Sequence, residues 1–278
     1  MLKILRRIWI LLRVPVRKKV GKISLWLTAE HLLPLYKRKY PFYDSFLPIL
    51  STLLNKDDLV IDIGANIGDT TKSIWWENPA LKFICIEPDS RYFRYLKQNT
   101  KGIAKENIKL IKSLISNSEL NYDLVGSGGT KSMKKTSKGK FVSAKLDDLL
   151  MGNSLLKNLA LIKTDTDGYD YEVLLSSQKI IQGFKPLIFS EISFVDNNSF
   201  KNYCESFKML LNSGYTNCFL FINTGPFHEK IALDNLENYF IQLLDSDKRL
   251  KHFEYLDILF TTSNNDEIAE RAVNIFQR

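Results

Sequence analysis

The clearest hydrophobic pattern runs from Leu59 to Ile63, four apolar residues, mostly β-branched, interrupted by Asp62; Gly64, Ala65, Asn66, Ile67, Gly68 and an Asp69-Thr70 pair follow. An apolar run of this length reads as a buried strand, the glycines end it, and Asp-Thr opens a helix. A second run, Leu81 to Ile86, ends in Glu87-Pro88-Asp89 and gives way to helical spacing over Ser90 to Thr100. The same patterns predict strands over 108–115, 159–164, 186–190, 215–222 and 255–261, and helices over 169–181, 200–212 and 233–244. Seven strands with helices between most of them predict an α/β fold: a Rossmann-like, mostly parallel sheet with helices on both faces.

Ahead of the first strand, residues 20–55 read as helices broken at Pro34 and Pro41, with Phe46, Leu47, Ile49, Leu50, Leu53 and Leu54 as an apolar face. The chain thus divides into a basic, helical N-terminal extension, 1–55, and a main domain, 56–278. Residues 117–140 are rich in Gly, Ser and Lys and read as a solvated hairpin and loop, or as a flap over the site. Phe141 to Leu146 is extended and enters a helix at Asp147-Asp148, where the two acids read as a cap.

Composition narrows the class. With 278 residues, 45% hydrophobic and 25% charged, the chain suits one α/β domain with an appendage and is not disordered. The net charge of +8 changes the picture once it is located. Lys3, Arg6, Arg7, Arg13, Arg17, Lys18, Lys19 and Lys22 all precede Glu30, and the remaining 31 basic residues balance the 31 acids. At helical spacing Lys3, Arg6, Arg7 and Arg13 share about a third of the circumference of residues 1–14, opposite Leu5, Ile8, Trp9 and Leu12. The apolar stretch is far shorter than the roughly 20 residues a spanning helix needs. Residues 1–22 are expected either to lie on an anionic membrane surface or to pack on the domain. A secretory signal fits poorly, because Arg13 interrupts the apolar stretch and no small-residue cleavage site follows. Three cysteines, Cys85, Cys204 and Cys218, form no metal motif, and a reducing cytoplasm, at most peripheral to the inner face of the membrane, is the simpler expectation.

Ligands of open α/β sheets collect at the carboxyl ends of strands, where glycines allow close approach. Gly64 and Gly68 offer that approach, but Gly-x-x-x-Gly is not the dinucleotide spacing. Glu87, at the tip of the next strand, can accept from two ribose hydroxyls. A nucleoside-type cofactor such as S-adenosylmethionine fits better than a nucleotide. At the strand tips, Asn66, Glu87, Asp165, Asp167 and Glu191 gather on one edge of a parallel sheet. Asp165 is the first choice for orienting the acceptor or acting as base, Glu191 the second, and His228 is a third candidate base. The competing reading of the acids is helix capping and turn formation, and that of His228 a solvated loop. Asp165, Asp167 and Glu191 could also take a hard cation, but without a histidine nearby they do not compel a metal. Asp62, inside a strand, needs partners such as the turn amides or a cofactor ammonium. A sulfonium argues against a further cation beside it.

Five stretches in order, VIDIGANIGDTT, FICIEPDSRYFRYLKQN, KLDDLL, LALIKTDTDGYDYEVL and PLIFSEIS, resemble the FkbM-type methyltransferases of the class I S-adenosylmethionine-dependent superfamily. They cover roughly residues 59–192. The resemblance implies S-adenosylmethionine as cofactor, Ser113 and Leu114 beside its adenine, and cofactor contacts from Asp62, Gly64, Asn66, Gly68, Glu87 and Asp165. It also implies an oxygen acceptor, a hydroxyl of a saccharide, glycan or related small metabolite, lipid-linked if the N-terminus touches membrane. The family shows a glutamate where Asp167 stands. An RNA methyltransferase is the enzymatic rival; the sequence pI of about 9.2 favours it, while the neutral body and the lack of an Asn-Pro-Pro-Tyr-type motif make nucleic acid a poor partner. A non-catalytic membrane-associated scaffold is the rival from another class, opposed by the intact glycine turn and Glu87. Oligomeric state is not encoded in these motifs.

Overall fold

The computed structural model describes residues 15–118, 121–126, 132–136, 139–194, 197–245 and 255–278. Residues 1–14, on which the amphipathic reading falls, lie outside them.

Eight strands form the central sheet, in the order β5(Ile108–Ile111), β4(Lys82–Ile86), β3(Leu59–Ile63), β10(Leu159–Thr164), β11(Leu187–Ile192), β14(Leu256–Thr262), β12(Tyr215–Ile222) and β13(Phe227–Ala232). The five from β5 to β11 are parallel; β14 runs antiparallel between β11 and β12. The sequence predicts seven strands. The eighth, β13, is a short-turn return from β12 in a stretch read as loop. All five residues of β3 are buried. Leu59, Ile61 and Ile63 face one core with α6(Asp170–Ser176), α7(Gln178–Phe184), α8(Asn197–Asn212) and α9(Leu236–Asp245); Val60 faces the other with α2(Phe46–Ser51), α3(Asp69–Glu77), α4(Ser90–Asn99) and α10(Asp266–Phe276). The period-2 alternation therefore separates two apolar layers around one sheet.

Several boundaries differ from the sequence expectation for identifiable reasons. Residues 15–28 are a hairpin, β1(Pro15–Val20) and β2(Ile23–Thr28), turning at Gly21 with φ +57°; the helical reading holds only from α1(Leu33–Lys39) onward. Ile23, Leu25 and Leu27 alternate inward onto Ile67 and Tyr92. Asn99 fastens this strand: its side chain accepts from the Trp26 N–H at 2.7 Å and donates to the Trp26 and Ile67 carbonyls, each at 2.8 Å. Pro34 does not break a helix but sits in the first turn of α1, where its missing N–H costs nothing. The strand expected over 108–115 ends at Ile111, and β6(Leu114–Ile115) joins a second sheet with β9(Phe141–Ala144), β7(Asn121–Val125) and β8(Ser132–Lys135). Helix 169–181 divides at Ser177, whose hydroxyl donates back to the Val173 carbonyl at 2.8 Å. Asp147 does cap a helix, though not its own α5(Leu146–Leu150): it accepts from the N–H groups of Lys179 and Ile180 at the start of α7.

Among the described residues no helix is long and apolar enough to cross a membrane. The three cysteines are buried free thiols.

Candidate functional site

The turn after β3 is shaped by contacts only glycine permits. Gly64 has φ +71°, and a Cβ there would stand 2.0 Å from the Asp165 carbonyl oxygen at the tip of β10. Its N–H and that of Ala65 both donate to the Ile86 carbonyl at 3.0 Å, tying the turn to β4. Gly68, φ +80°, caps α3 and lies under Leu96; it supports the turn without lining a cavity. Asn66, also left-handed at φ +48°, turns its backbone N–H onto Glu87.

Glu87 is held by two backbone donors. Oε2 accepts from the Asn66 N–H at 2.9 Å and Oε1 from the Asp89 N–H at 2.7 Å. Each oxygen keeps a lone pair for a ligand hydroxyl. Asp89 caps α4 through the N–H groups of Arg91 and Tyr92, which fixes the Glu87-Pro88-Asp89 corner. Burial pushes the Glu87 carboxyl up to about 7, against the pull of those two hydrogen bonds. Around it lie Ile63, Gly64, Asn66, Tyr92, Ser113, Leu114, Ile115, Leu124 and Asp165, an apolar slot with a carboxylate at one wall. The slot is small, about 50 Å³, with acceptors on Glu87 for two facing hydroxyls and apolar side chains for a flat ring. A nucleoside's ribose would sit on Glu87 and its base between Ser113, Leu114 and the strand ends, so the residues present fit the adenosyl half of S-adenosylmethionine.

Gly64, Asn66, Asp165 and Asp167 also line a second, larger cavity of about 530 Å³. Six carboxylates face it: Asp44, Asp69, Asp165, Asp167, Glu191 and Asp257. Lys163, His31, Tyr36, Tyr43 and Tyr255 are also in its lining. The geometry follows from register. Glu191 on β11 pairs with Asp257 on β14, two acids opposite each other; burial first, and then neighbouring carboxylates including Asp165, raise both well above the ordinary range. Asp44, in a left-handed turn at φ +46°, is pushed up to about 7 by burial, with Lys37 opposing and Asp69 and Asp165 adding to it. The turn carrying it packs against Gly225, where a Cβ would meet the Phe42 carbonyl at 2.2 Å. His31 accepts the Leu33 N–H on Nδ1 at 3.3 Å, and burial holds it below its ordinary value against the pull of Asp69.

The sequence reading passes over Lys163. It lies in register with Asp62, and its ammonium is 3.2 Å from Asp62 Oδ1, 3.5 Å from Asp165 Oδ2 and 3.3 Å from the Gly64 carbonyl. Burial lowers its pKa, but Asp62, Asp165 and Asp69 outweigh it and hold the lysine above its ordinary value. Asp62 accepts from the Thr71 hydroxyl on Oδ2 at 2.6 Å and is ion-paired through Oδ1 with Lys163, an oxygen that has no hydrogen-bond partner among the described residues; the residue lines neither cavity. A cation does line the larger cavity, paired with flanking carboxylates.

The fold brings Gly64, Asn66, Glu87, Ser113, Leu114, Asp165 and Glu191 to the two adjoining cavities. It leaves His228 apart, exposed on edge strand β13 beside Glu229 at 3.0 Å and outside the lining of both. Among the described residues no three His, Cys, Asp or Glu side chains are placed to share a metal ion. His31, Tyr43, Asp44, Tyr255 and Asp257 join the site from segments far away in sequence; the register of β14 beside β11 places Asp257, and the turn after α1 places Asp44.

Residues 62–217 match the Methyltransferase FkbM domain. No curated protein matches the chain. Solved structures similar to it include methyltransferase FkbM from Methylobacillus flagellatus KT, at 13% identity and TM-score 0.44 over 73% of this chain and 43% of that one. This chain thus spans less than half the length of that protein. M. jannaschii TYW2 in complex with AdoMet is similar at 12% identity and TM-score 0.48, over 90% and 87% of the two chains. A third is the Pyrococcus abyssi tRNA (uracil-54, C5)-methyltransferase in complex with S-adenosyl-L-homocysteine, at 8% identity and TM-score 0.41, over 88% and 43%.

Proposed function

We propose, from the premise that this chain belongs to the Methyltransferase FkbM domain family, that it is an O-methyltransferase acting on a neutral hydroxyl of a saccharide or related small metabolite. Its cofactor is S-adenosylmethionine, which when bound supplies an electrophilic methyl group on a sulfonium. The observation that carries the acceptor reading is the acid-lined cavity adjoining the nucleoside slot. Hydroxyls find carboxylate acceptors in its lining. A phosphate or an RNA backbone would meet six carboxylates against one lysine, which opposes the nucleic-acid alternative.

The chain's own residues divide the work. Glu87 clamps the ribose, Gly64 lets the cofactor close on the backbone, and Ser113 and Leu114 flank the base. Asp165 belongs to both cavities and is ion-paired with Lys163, which positions it to take the proton of an acceptor hydroxyl. Glu191, opposite Asp257 and raised well above the usual carboxylate range by burial, faces the same cavity and orients the acceptor by hydrogen bonding. Holding the hydroxyl in line with the methyl group contributes several kcal/mol of the acceleration.

The test is transfer of labelled methyl from S-adenosylmethionine to a panel of neutral sugars, phosphorylated sugars and RNA. Neutral acceptors are expected to be labelled, and Asp165→Asn is expected to lower kcat by about 10²- to 10⁴-fold with cofactor affinity changed only a few-fold. Labelling confined to RNA or to phosphorylated acceptors refutes the acceptor reading.

A further inference from the structure

We propose that the outward face of α1, at the rim of the large cavity, docks on an anionic lipid bilayer, so that the acceptor enters from the membrane surface. Docking stands on the surface alone; the second half rests on the cavity being the acceptor site.

The face is set by helical spacing. Leu32, Leu35, Tyr36 and Lys39 recur at three- and four-residue intervals and are exposed, whereas Leu33 is turned into the core beneath the hairpin. Leu32, Leu35 and Tyr36 are 39%, 48% and 43% exposed, and Phe42, just beyond the helix, is 48% exposed. Leu32 and Tyr36 also line the large cavity, so the apolar surface is its lip. Tyr36 stacks on Tyr40 and on Tyr43, making a rigid aromatic edge with polar tips of the kind that suits a headgroup region.

Charge identifies the partner. Between Met1 and Tyr43 there are eleven Lys and Arg residues and one acid, Glu30, and Glu30 is engaged by Arg91 at 2.8 Å. Arg38 and Lys39 flank the apolar face in the last turn of α1, Lys39 lying 4.8 Å over the Tyr40 ring. Exposed Arg17, Lys18 and Lys19 lie on β1, against which α1 packs. Exposed leucine and phenylalanine beside cations gain by entering an anionic interface and gain nothing on a nucleic-acid backbone. The acidic interior keeps anionic headgroups at the rim and admits an uncharged polar group past it.

The experiment is co-sedimentation of the full chain with vesicles of phosphatidylcholine alone and of phosphatidylcholine mixed with phosphatidylglycerol. Binding is expected to the mixed vesicles only. Leu35→Glu, and separately Arg38→Glu with Lys39→Glu, should each weaken it about tenfold or more, with S-adenosylmethionine affinity unchanged because none of the three lines either cavity. Absence of wild-type binding, or a Leu35→Glu variant that binds like wild type, overturns the proposal. Loss of membrane binding with intact cofactor binding separates its failure from failure of the methyltransferase reading.

Discussion

Replacing Glu87 by glutamine separates the clamp's chemistry from its shape. In the wild type two backbone N–H groups point at two carboxylate oxygens, from Asn66 at 2.9 Å and Asp89 at 2.7 Å. Glutamine offers one acceptor and one amide nitrogen, so one backbone donor must face another donor. That mismatch is present in the free protein and costs about 1–3 kcal/mol of folding stability, readable in urea unfolding. Affinity falls separately, because ribose hydroxyls lose a charged acceptor; at about 1.5–3 kcal/mol the loss in Kd is roughly 10- to 150-fold. The pH profile supplies the sharper test. Burial raises the Glu87 carboxyl to about 7, and ribose binds the ionised form. Wild-type affinity should therefore rise about tenfold from pH 6 to pH 8, and the glutamine variant should lack that increment. Folding runs the other way: the native state holds this proton more tightly than the unfolded chain, so ionising Glu87 costs stability as pH rises from the ordinary carboxylate range through about 7. The glutamine variant loses that dependence too. Calorimetric titration with S-adenosylhomocysteine at pH 6, 7 and 8 checks the affinities, and equal pH slopes in wild type and variant would refute the reasoning.

Gly64→Ala places a methyl group 2.0 Å from the Asp165 carbonyl oxygen on a backbone at φ +71°; stability should fall by about 2 kcal/mol or more and cofactor binding should be lost, both readable in one thermal-shift series. Lys163→Met leaves the Asp62 carboxylate buried without its cation, the two side chains being 7% and 1% exposed, and should cost about 3–5 kcal/mol in urea unfolding. Adding Asp62→Asn to that variant should recover part of the loss; an additive result would show that the pair is not coupled.

The strand-turn-helix unit from Leu59 to Glu77 was legible because every level of the sequence agrees there: a five-residue strand apolar at all positions but Asp62, glycines where the backbone is left-handed, and an acid in the first helical turn. The hairpin at 15–28 was not. Its cations sit on the exposed strand β1, so apolar residues alternate clearly only from Ile23 to Leu27, too short a run to decide between strand and helix. Lys163 inside an apolar strand carries no local signal of its role; only its register with Asp62 explains it. Asp44 and Asp257 escape a linear reading because a turn outside the sheet and an antiparallel strand near the chain's end carry them to β11, and contacts of that sequence separation leave no local pattern. His228 was drawn to the site by its place after β12, but the unanticipated strand β13 turns it outward.

Every role proposed for the two cavities depends on the slot at Glu87 and Gly64 holding S-adenosylmethionine. Calorimetric titration of the folded full chain with S-adenosylmethionine tests it most directly. Saturable binding of one cofactor per chain, abolished by Gly64→Ala and weakened by Glu87→Gln, is the predicted result; a folded protein that takes up no heat from the cofactor at any pH between 6 and 8 would contradict it.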